Sequence, residues 1–360
     1  MTDKGSPMIE NLYGEAPHPP TVETPDDLSL VAQQANLGSP YAVRVAATLR
    51  LADLIHAGTR RLADLAAAAG AHPDRLGRLM NFLIARGVFR KTGPDEYAMT
   101  ESAKVLLSDH PMGVREWLDL EGPAGSRMDA CWTGLLESVR TGEPAYPRIF
   151  GRPVWEDMDA QPQIGARFGE LMAGRAASFV PEVVKEYEWD GTGHVVDVAG
   201  GTGLLLAELL QMRPEVRGTL VDLPAVIPLA RERFAAAGIA DRTEIVQGSM
   251  FDPLPAGGDL YVLTSIVHDW DDAEAEAILR RCAEAAGPGR RILVVDRTSD
   301  HGDPLTFTFM DLLMVVFLGG RERSLDQFAE LGARVGLAPE SARAIPCGLS
   351  LLTYVVKDGA

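Results

Sequence analysis

Cysteine is scarce in this chain. Its three copies in 360 residues, Cys131, Cys282 and Cys347, lie far apart and form no CxxC pair, which excludes a disulfide framework and a cysteine-built zinc site. The histidines are just as scattered: His18, His56, His72, His110, His194 and His301 form no metal-ligand spacing, and no metal is expected. The tripeptide Gly-Lys-Ser/Thr does not occur, which removes the P-loop. Long apolar runs are missing too. The longest, Leu312–Leu318, falls well short of the about 20 residues that span a bilayer. Positive charge is in deficit, with 34 Lys and Arg against 51 Asp and Glu and a net charge of −17. Nucleic acid and anionic membranes are therefore poor partners. Met1–Asp27 is rich in Pro, Glu and Asp and lacks the apolar stretch of a signal peptide. That segment reads as a mobile or partner-draped arm, and the protein as cytoplasmic.

What is present is an ordinary globular composition, 46% hydrophobic and 24% charged, long enough for two domains. The most informative stretch is Val195-Val196-Asp197-Val198-Ala199-Gly200-Gly201-Thr202-Gly203. A β-branched run enters a glycine-rich turn, and a helix opens at Leu204. Glycine lets such a turn approach a ligand where a Cβ would collide. Asp222 closes a second apolar run, Gly218–Val221, at the spacing where a strand-end carboxylate can hold ribose hydroxyls. Leu206 stands where a dinucleotide fingerprint wants a small residue. The site thus suits a nucleoside without a pyrophosphate, and S-adenosylmethionine is the adenosyl cofactor that fits.

From Leu28 to about residue 110 the pattern is short helices followed by a hairpin. Tyr41–Leu54 carries apolar residues at helical spacing, Leu62 lies in a second helix and Pro73–Arg86 forms a third. Gly87–Phe89 and Tyr97–Thr100 flank the turn-rich Thr92–Asp95. That is a winged-helix order. DNA binding is the rival reading, but the third helix is mostly apolar and offers only Arg75, Arg78 and Arg86. Dimerisation suits it better. Residues 111–190 read as a helical connector in which Phe168 and Met172 share a face.

From residue 191 strands alternate with helices, at Val195–Val198, Gly218–Val221, Glu244–Gln247, Leu260–Thr264 and Arg291–Val295. This predicts an α/β domain, a mostly parallel Rossmann-like sheet covered on both faces. Ligands bind beyond the carboxyl ends of such strands, where the Gly200 loop, Asp222, Ser249, Met250 and His268 all fall. His268 follows the strand Leu260–Thr264. It reads either as a loop histidine before a helix capped by Asp271 or Asp272, or as a general base for a phenol. As a base it needs an orienting carboxylate. Glu322 and Asp296 are the candidates, and spacing alone places neither beside it.

These residues together resemble the caffeic-acid-type small-molecule O-methyltransferases, and in particular bacterial members that tailor aromatic polyketides. The resemblance runs from about Leu28 onward. It rests on Asp197–Gly203, Val221-Asp222-Leu223-Pro224, Gly248-Ser249-Met250-Phe251, His268-Asp269-Trp270-Asp271-Asp272 and Gly319-Gly320-Arg321-Glu322-Arg323. It implies a winged-helix-like dimerisation domain over 28–110, a connector over 111–190 and a methyltransferase domain over 191–360. It also implies a homodimer, an aromatic acceptor, no metal, and S-adenosylhomocysteine as the product of the cofactor. By the same resemblance Asp197, Gly200, Gly201, Gly203, Asp222, Leu223, Ser249, Met250 and Thr264 contact the cofactor. His268 is the base flanked by Asp296 and Glu322. Phe168, Met172, Leu312, Leu313 and Phe317 line the acceptor pocket. Three positions depart from the pattern: Ala199 replaces a glycine, Ser249 a frequent aspartate, and Thr264 a lysine or arginine. The same fold also carries relatives with non-methylating chemistry such as hydroxylation, decarboxylation or pericyclic reactions.

Overall fold

The computed structural model describes residues 27–359. The arm expected over 1–27 lies, apart from Asp27, outside the described residues. Two compact units divide between Asp129 and Ala130. In the first, helices Gly38–Thr48, Leu51–His56, Leu62–Ala68 and Pro73–Ala85 precede an antiparallel hairpin of β1 (Phe89–Gly93) and β2 (Glu96–Met99). The helix expected across Tyr41–Leu54 is broken at Arg50, whose φ of 52° is left-handed. Leu76, Met80 and Leu83 pack inward with Leu51, Leu65, Phe89 and Tyr97. Arg75 and Arg78 are both paired with Asp74 of the same helix, and Arg86 donates to Ser39 Oγ of the helix Gly38–Thr48.

The second unit is built on a seven-stranded sheet. Its strands are β3 (His194–Val198), β4 (Arg217–Asp222), β5 (Thr243–Gln247), β6 (Leu260–Thr264), β7 (Arg291–Asp296), β8 (Leu337–Ala344) and β9 (Ser350–Val356). The order is β5-β4-β3-β6-β7-β9-β8, with the first five parallel and β9 antiparallel to both of its neighbours, β7 and β8. All five expected strands are present. Successive side chains point to opposite faces: Val195, Val262 and Leu293 join one core cluster, while Val196, Tyr261 and Ile292 join the other. Helices on both faces explain why these strands are almost continuously apolar.

The chain order reverses at β3, which has β4 on one side and β6 on the other. A crevice opens beyond the carboxyl ends of strands at such a switch point. Two residues shape it. Ala199, just after β3, has φ 56° and Ser265, just after β6, has φ 54°. Their N–H groups donate to the neighbouring strands at Val221 O and Val295 O, each at 2.8 Å. Both strands therefore turn aside immediately after their last ladder bond. Ala199 occupies the left-handed region that favours glycine, which accounts for glycine being usual there.

Candidate active site

On the β3 side the glycine loop folds over its own strand. A Cβ on Gly200 would lie 2.2 Å from Asp197 Oδ2 and 2.7 Å from Leu220, so only glycine fits. At Gly203, φ is 73° and a Cβ would meet the Phe234 ring at 2.5 Å. Asp222 Oδ2 accepts the Gly201 N–H at 2.7 Å, and its Oδ1 accepts the Leu223 N–H at 2.6 Å. The strand-end carboxylate thus holds the loop that it faces. Asp197 is fully buried with neither carboxylate oxygen partnered. Burial, aided by the charge of Asp222, pushes its pKa up to about 7. An unmet buried acceptor calls for a donor. An ammonium group beside ribose hydroxyls, as S-adenosylmethionine carries, fits this pair of carboxylates.

The other positions expected to contact the cofactor lie at neighbouring strand ends. Leu223, directly after β4, is partly exposed. Met250, after β5, is half-buried against the same core cluster as Phe251 and Trp270. Ser249 Oγ accepts the Phe251 N–H at 3.2 Å, so this hydroxyl serves its own turn. Thr264 ends β6 with a buried hydroxyl that has no partner.

On the β6 side His268 occupies a one-turn helix, Val267–Asp269, and is 4% exposed. Its Nδ1 lies 2.8 Å from Glu322 Oε1, and its Nε2 lies 3.4 Å from Asp269 Oδ1. Of the two candidate partners, then, Glu322 is the one bonded to the ring. Asp296 is fully buried with both oxygens unpartnered, and its charge is felt at His268. Burial opposes a charge on the imidazole, but Glu322, Asp269 and Asp296 together outweigh it and raise His268 to about 10. Burial itself lifts Asp296 to about 7. Burial also works against a charge on Glu322, yet His268, Arg297 and Arg175 hold that carboxyl below its usual value. Asp271, rather than Asp272, caps the following helix, accepting from the Ala273 and Glu274 N–H groups.

The Gly319–Arg323 segment is a clasp around the His268 turn. Arg323, 1% exposed, donates to Val267 O at 3.0 Å, Trp270 O at 2.9 Å and Asp272 Oδ1 at 2.8 Å. The Arg321 N–H donates to His268 O at 2.9 Å. The Glu322 N–H donates to Asp311 Oδ1 at 2.9 Å. A Cβ on Gly320 would lie 2.2 Å from His268 O. Gly320→Ala is therefore expected to cost about 1–3 kcal/mol, the usual cost of overpacking, and to lower turnover by displacing the His268 turn. A denaturation midpoint measured alongside kcat checks both.

Two of the residues expected to line the acceptor pocket, Phe168 and Phe317, belong to an aromatic seam. Phe168 lies 6.2 Å from Phe317 and 5.9 Å from Trp155, Trp155 lies 6.3 Å from Trp270, and Trp270 lies 4.8 Å from Phe251 (ring centroids). Leu313 is buried one turn before Phe317, and Met172 is half-buried one turn after Phe168. Leu312, one residue before Leu313, is 40% exposed on the side of its helix shared with Leu305, because one residue turns a helix by 100°. Nothing in the sequence marks Trp155 or Asp311, and Trp270 and Arg323 stand out there only as members of the His268–Asp272 and Gly319–Arg323 motifs, without a role of their own.

Two domain families match the chain: an O-methyltransferase dimerisation domain over residues 36–109, and an O-methyltransferase domain over residues 132–338, more than half of the chain. The chain belongs to the O-methyltransferase family. This O-methyltransferase is 46% identical to 2,7-dihydroxy-5-methyl-1-naphthoate 7-O-methyltransferase of Streptomyces carzinostaticus, over 86% of this chain and 93% of that protein. It is 39% identical to aclacinomycin 10-hydroxylase RdmB of Streptomyces purpurascens, over 95% and 94% respectively. Among solved structures it is similar to NcsB1, an O-methyltransferase from neocarzinostatin biosynthesis in complex with S-adenosylmethionine and 2-hydroxy-5-methyl naphthoic acid. That match has a TM-score of 0.83 and 44% identity, and covers 90% of this chain and 98% of that one. The enzyme is S-adenosylmethionine-dependent.

Proposed function

We propose that this enzyme methylates a phenolic hydroxyl of an aromatic, polyketide-like natural product, with His268 taking the phenolic proton. The observation that carries this reading is the 2.8 Å His268–Glu322 pair, set at the end of β6 beside the switch-point crevice. S-adenosylmethionine supplies, when bound, a methyl group already activated on a sulfonium sulfur. Asp222, Asp197 and the Gly200–Gly203 loop would hold it, with Leu223 and Met250 beside its adenine. The protein's own work is placement and proton handling. Glu322 holds the Nδ1 proton of His268, so proton exchange with the acceptor falls to Nε2, which also lies 3.4 Å from Asp269 Oδ1. The aromatic seam from Phe317 to Phe251 supplies flat apolar walls for a fused ring. Holding the acceptor oxygen in line is itself worth several kcal/mol. The match to a dimerisation domain over 36–109 and the exposed Leu37 and Tyr41 support a homodimer. Three cysteines without a disulfide suit the cytoplasm.

Calorimetry with S-adenosylmethionine, S-adenosylhomocysteine and NAD, followed by turnover of hydroxynaphthalenes, tests this reading. Micromolar binding of both adenosyl ligands, no binding of NAD, and a product heavier by one methylene are expected. A product heavier by one oxygen would favour hydroxylation, the reading that the likeness to RdmB supports. Failure of both adenosyl ligands to bind would overturn the assignment of the cofactor site.

A further inference from the structure

Two arginines near His268 act in the chemistry described so far only through their charge at Glu322. Arg297 follows Asp296 at the end of β7 and is 7% exposed. Its Nε is buried without a partner, and its contact with the Gly348 carbonyl is long, at 3.4 Å. A buried guanidinium with unmet donors needs an acceptor. Arg175 lies on the helix Pro162–Ala177, seven residues beyond Phe168. At 100° per residue this brings it within about 20° of the Phe168 azimuth, on the face that meets Phe317 and Trp155. Neither guanidinium is ion-paired among the described residues. They feel one another's charge, and Glu322 feels both. Asp269 and Asp296 are also near enough to act on one or the other, yet none of the three carboxylates is bonded to either arginine.

We propose that Arg297 and Arg175 form a carboxylate-binding subsite, so that the acceptor is a hydroxyarenecarboxylic acid whose acid group is held there while its hydroxyl meets His268. This rests on the O-methyltransferase reading above. Position favours the acceptor over the cofactor as the source of the carboxylate. Strands in a sheet stand about 4.8 Å apart, and β7 is two strands from the β3 glycine loop and three from Asp222 on β4. Arg297 therefore sits on the far side of His268 from the cofactor loop. Guanidinium is also the group best shaped to receive a carboxylate with two parallel hydrogen bonds.

The test compares 2,7-dihydroxy-1-naphthoate with 2,7-dihydroxynaphthalene, which lacks the acid group, in the wild type, Arg175→Met, Arg297→Met and Arg297→Lys. Each arginine-to-methionine change is expected to lower kcat/KM for the naphthoate about 10- to 100-fold, the loss of one charge-assisted contact. The loss should be clearly smaller with the neutral naphthalenediol, which feels only the changed charge at Glu322, calorimetric S-adenosylmethionine affinity should barely change, and Arg297→Lys should recover part of the loss. Equal losses with both acceptors would overturn the subsite in favour of a general positioning role. Weaker cofactor binding with unchanged acceptor preference would assign the carboxylate to the methionyl group instead. If the wild type methylates neither acceptor, titration of 1-naphthoate into the S-adenosylhomocysteine complex decides separately. Binding lost in the arginine variants upholds the subsite while the methylation reading fails, and equal binding in all forms overturns the subsite. Arg175 is partly exposed, so its variant provides a readout that does not depend on replacing a buried residue.

Discussion

His268→Ala is expected to lower kcat by about 10²- to 10⁴-fold, the usual contribution of a positioned acid–base group, with S-adenosylmethionine affinity nearly unchanged. The separation follows from geometry: His268 and Glu322 stand beyond β6, whereas Asp222 and the glycine loop stand at β4 and β3. The pH profile gives a sharper test than the alanine variant. An ordinary histidine would become a base near pH 6.5. Here three carboxylates keep the proton on the ring and raise its pKa to about 10. Below that value the free enzyme holds an imidazolium, so the base form grows as pH rises. Because kcat/KM reports ionisations of the free enzyme, it should climb between about pH 7 and 9 rather than level off just above 6.5. The apparent value belongs to the whole His268–Glu322–Asp269–Asp296 group. Glu322→Gln removes one of the charges that raise it and should move the limb toward neutral pH while lowering kcat. A profile flat above pH 7 in the wild type would show that His268 does not titrate in the step.

Asp222→Ala is expected to abolish measurable S-adenosylmethionine binding. The carboxylate would lose its hydrogen bonds to the ribose, each worth about 1.5–3 kcal/mol when one partner is charged, and two of them amount to roughly 10²- to 10⁴-fold. It would also release the Gly201 N–H that it now accepts at 2.7 Å, loosening the loop. Calorimetry checks the affinity, and an unchanged melting temperature would show that the loss is local. Asp197 adds a pH dependence of its own. With its pKa raised to about 7, it takes up a proton as pH falls below 7 and its attraction for an ammonium fades. Cofactor affinity should therefore weaken from pH 8 to pH 6 in the wild type. Affinity independent of pH over that range would remove Asp197 from contact with the cofactor.

Much of this site is legible in the chain because its parts are local. A β-branched run, a turn that only glycine can make and an acidic residue one strand later are all set by backbone sterics and by the period of two in strands. For that reason β3 to β7, the helix Leu204–Met212 and the positions of Asp222 and His268 follow from the sequence alone. The antiparallel pair β8–β9 was not read, since β8 is mostly exposed and carries Pro339, and so lacks the apolar run of a central strand. The helix break at Arg50 was missed because nothing in the apolar spacing marks a left-handed residue.

What the sequence determined by itself is the set of chemical groups and the strand ends on which they stand: two carboxylates at the glycine loop, an imidazole after β6, and acids at positions 296 and 322. Only the tertiary structure decided how those groups are paired. Glu322 lies 54 residues from His268, and the bond between them exists because Arg323, Gly320 and Asp311 fold one segment around the other. Two of the three carboxylates around His268, Asp296 and Glu322, come from other segments of the chain, so the combined field that turns an ordinary histidine into a strongly basic one is invisible to spacing. Coulomb energy depends on distance through space, and distance through space is what folding sets.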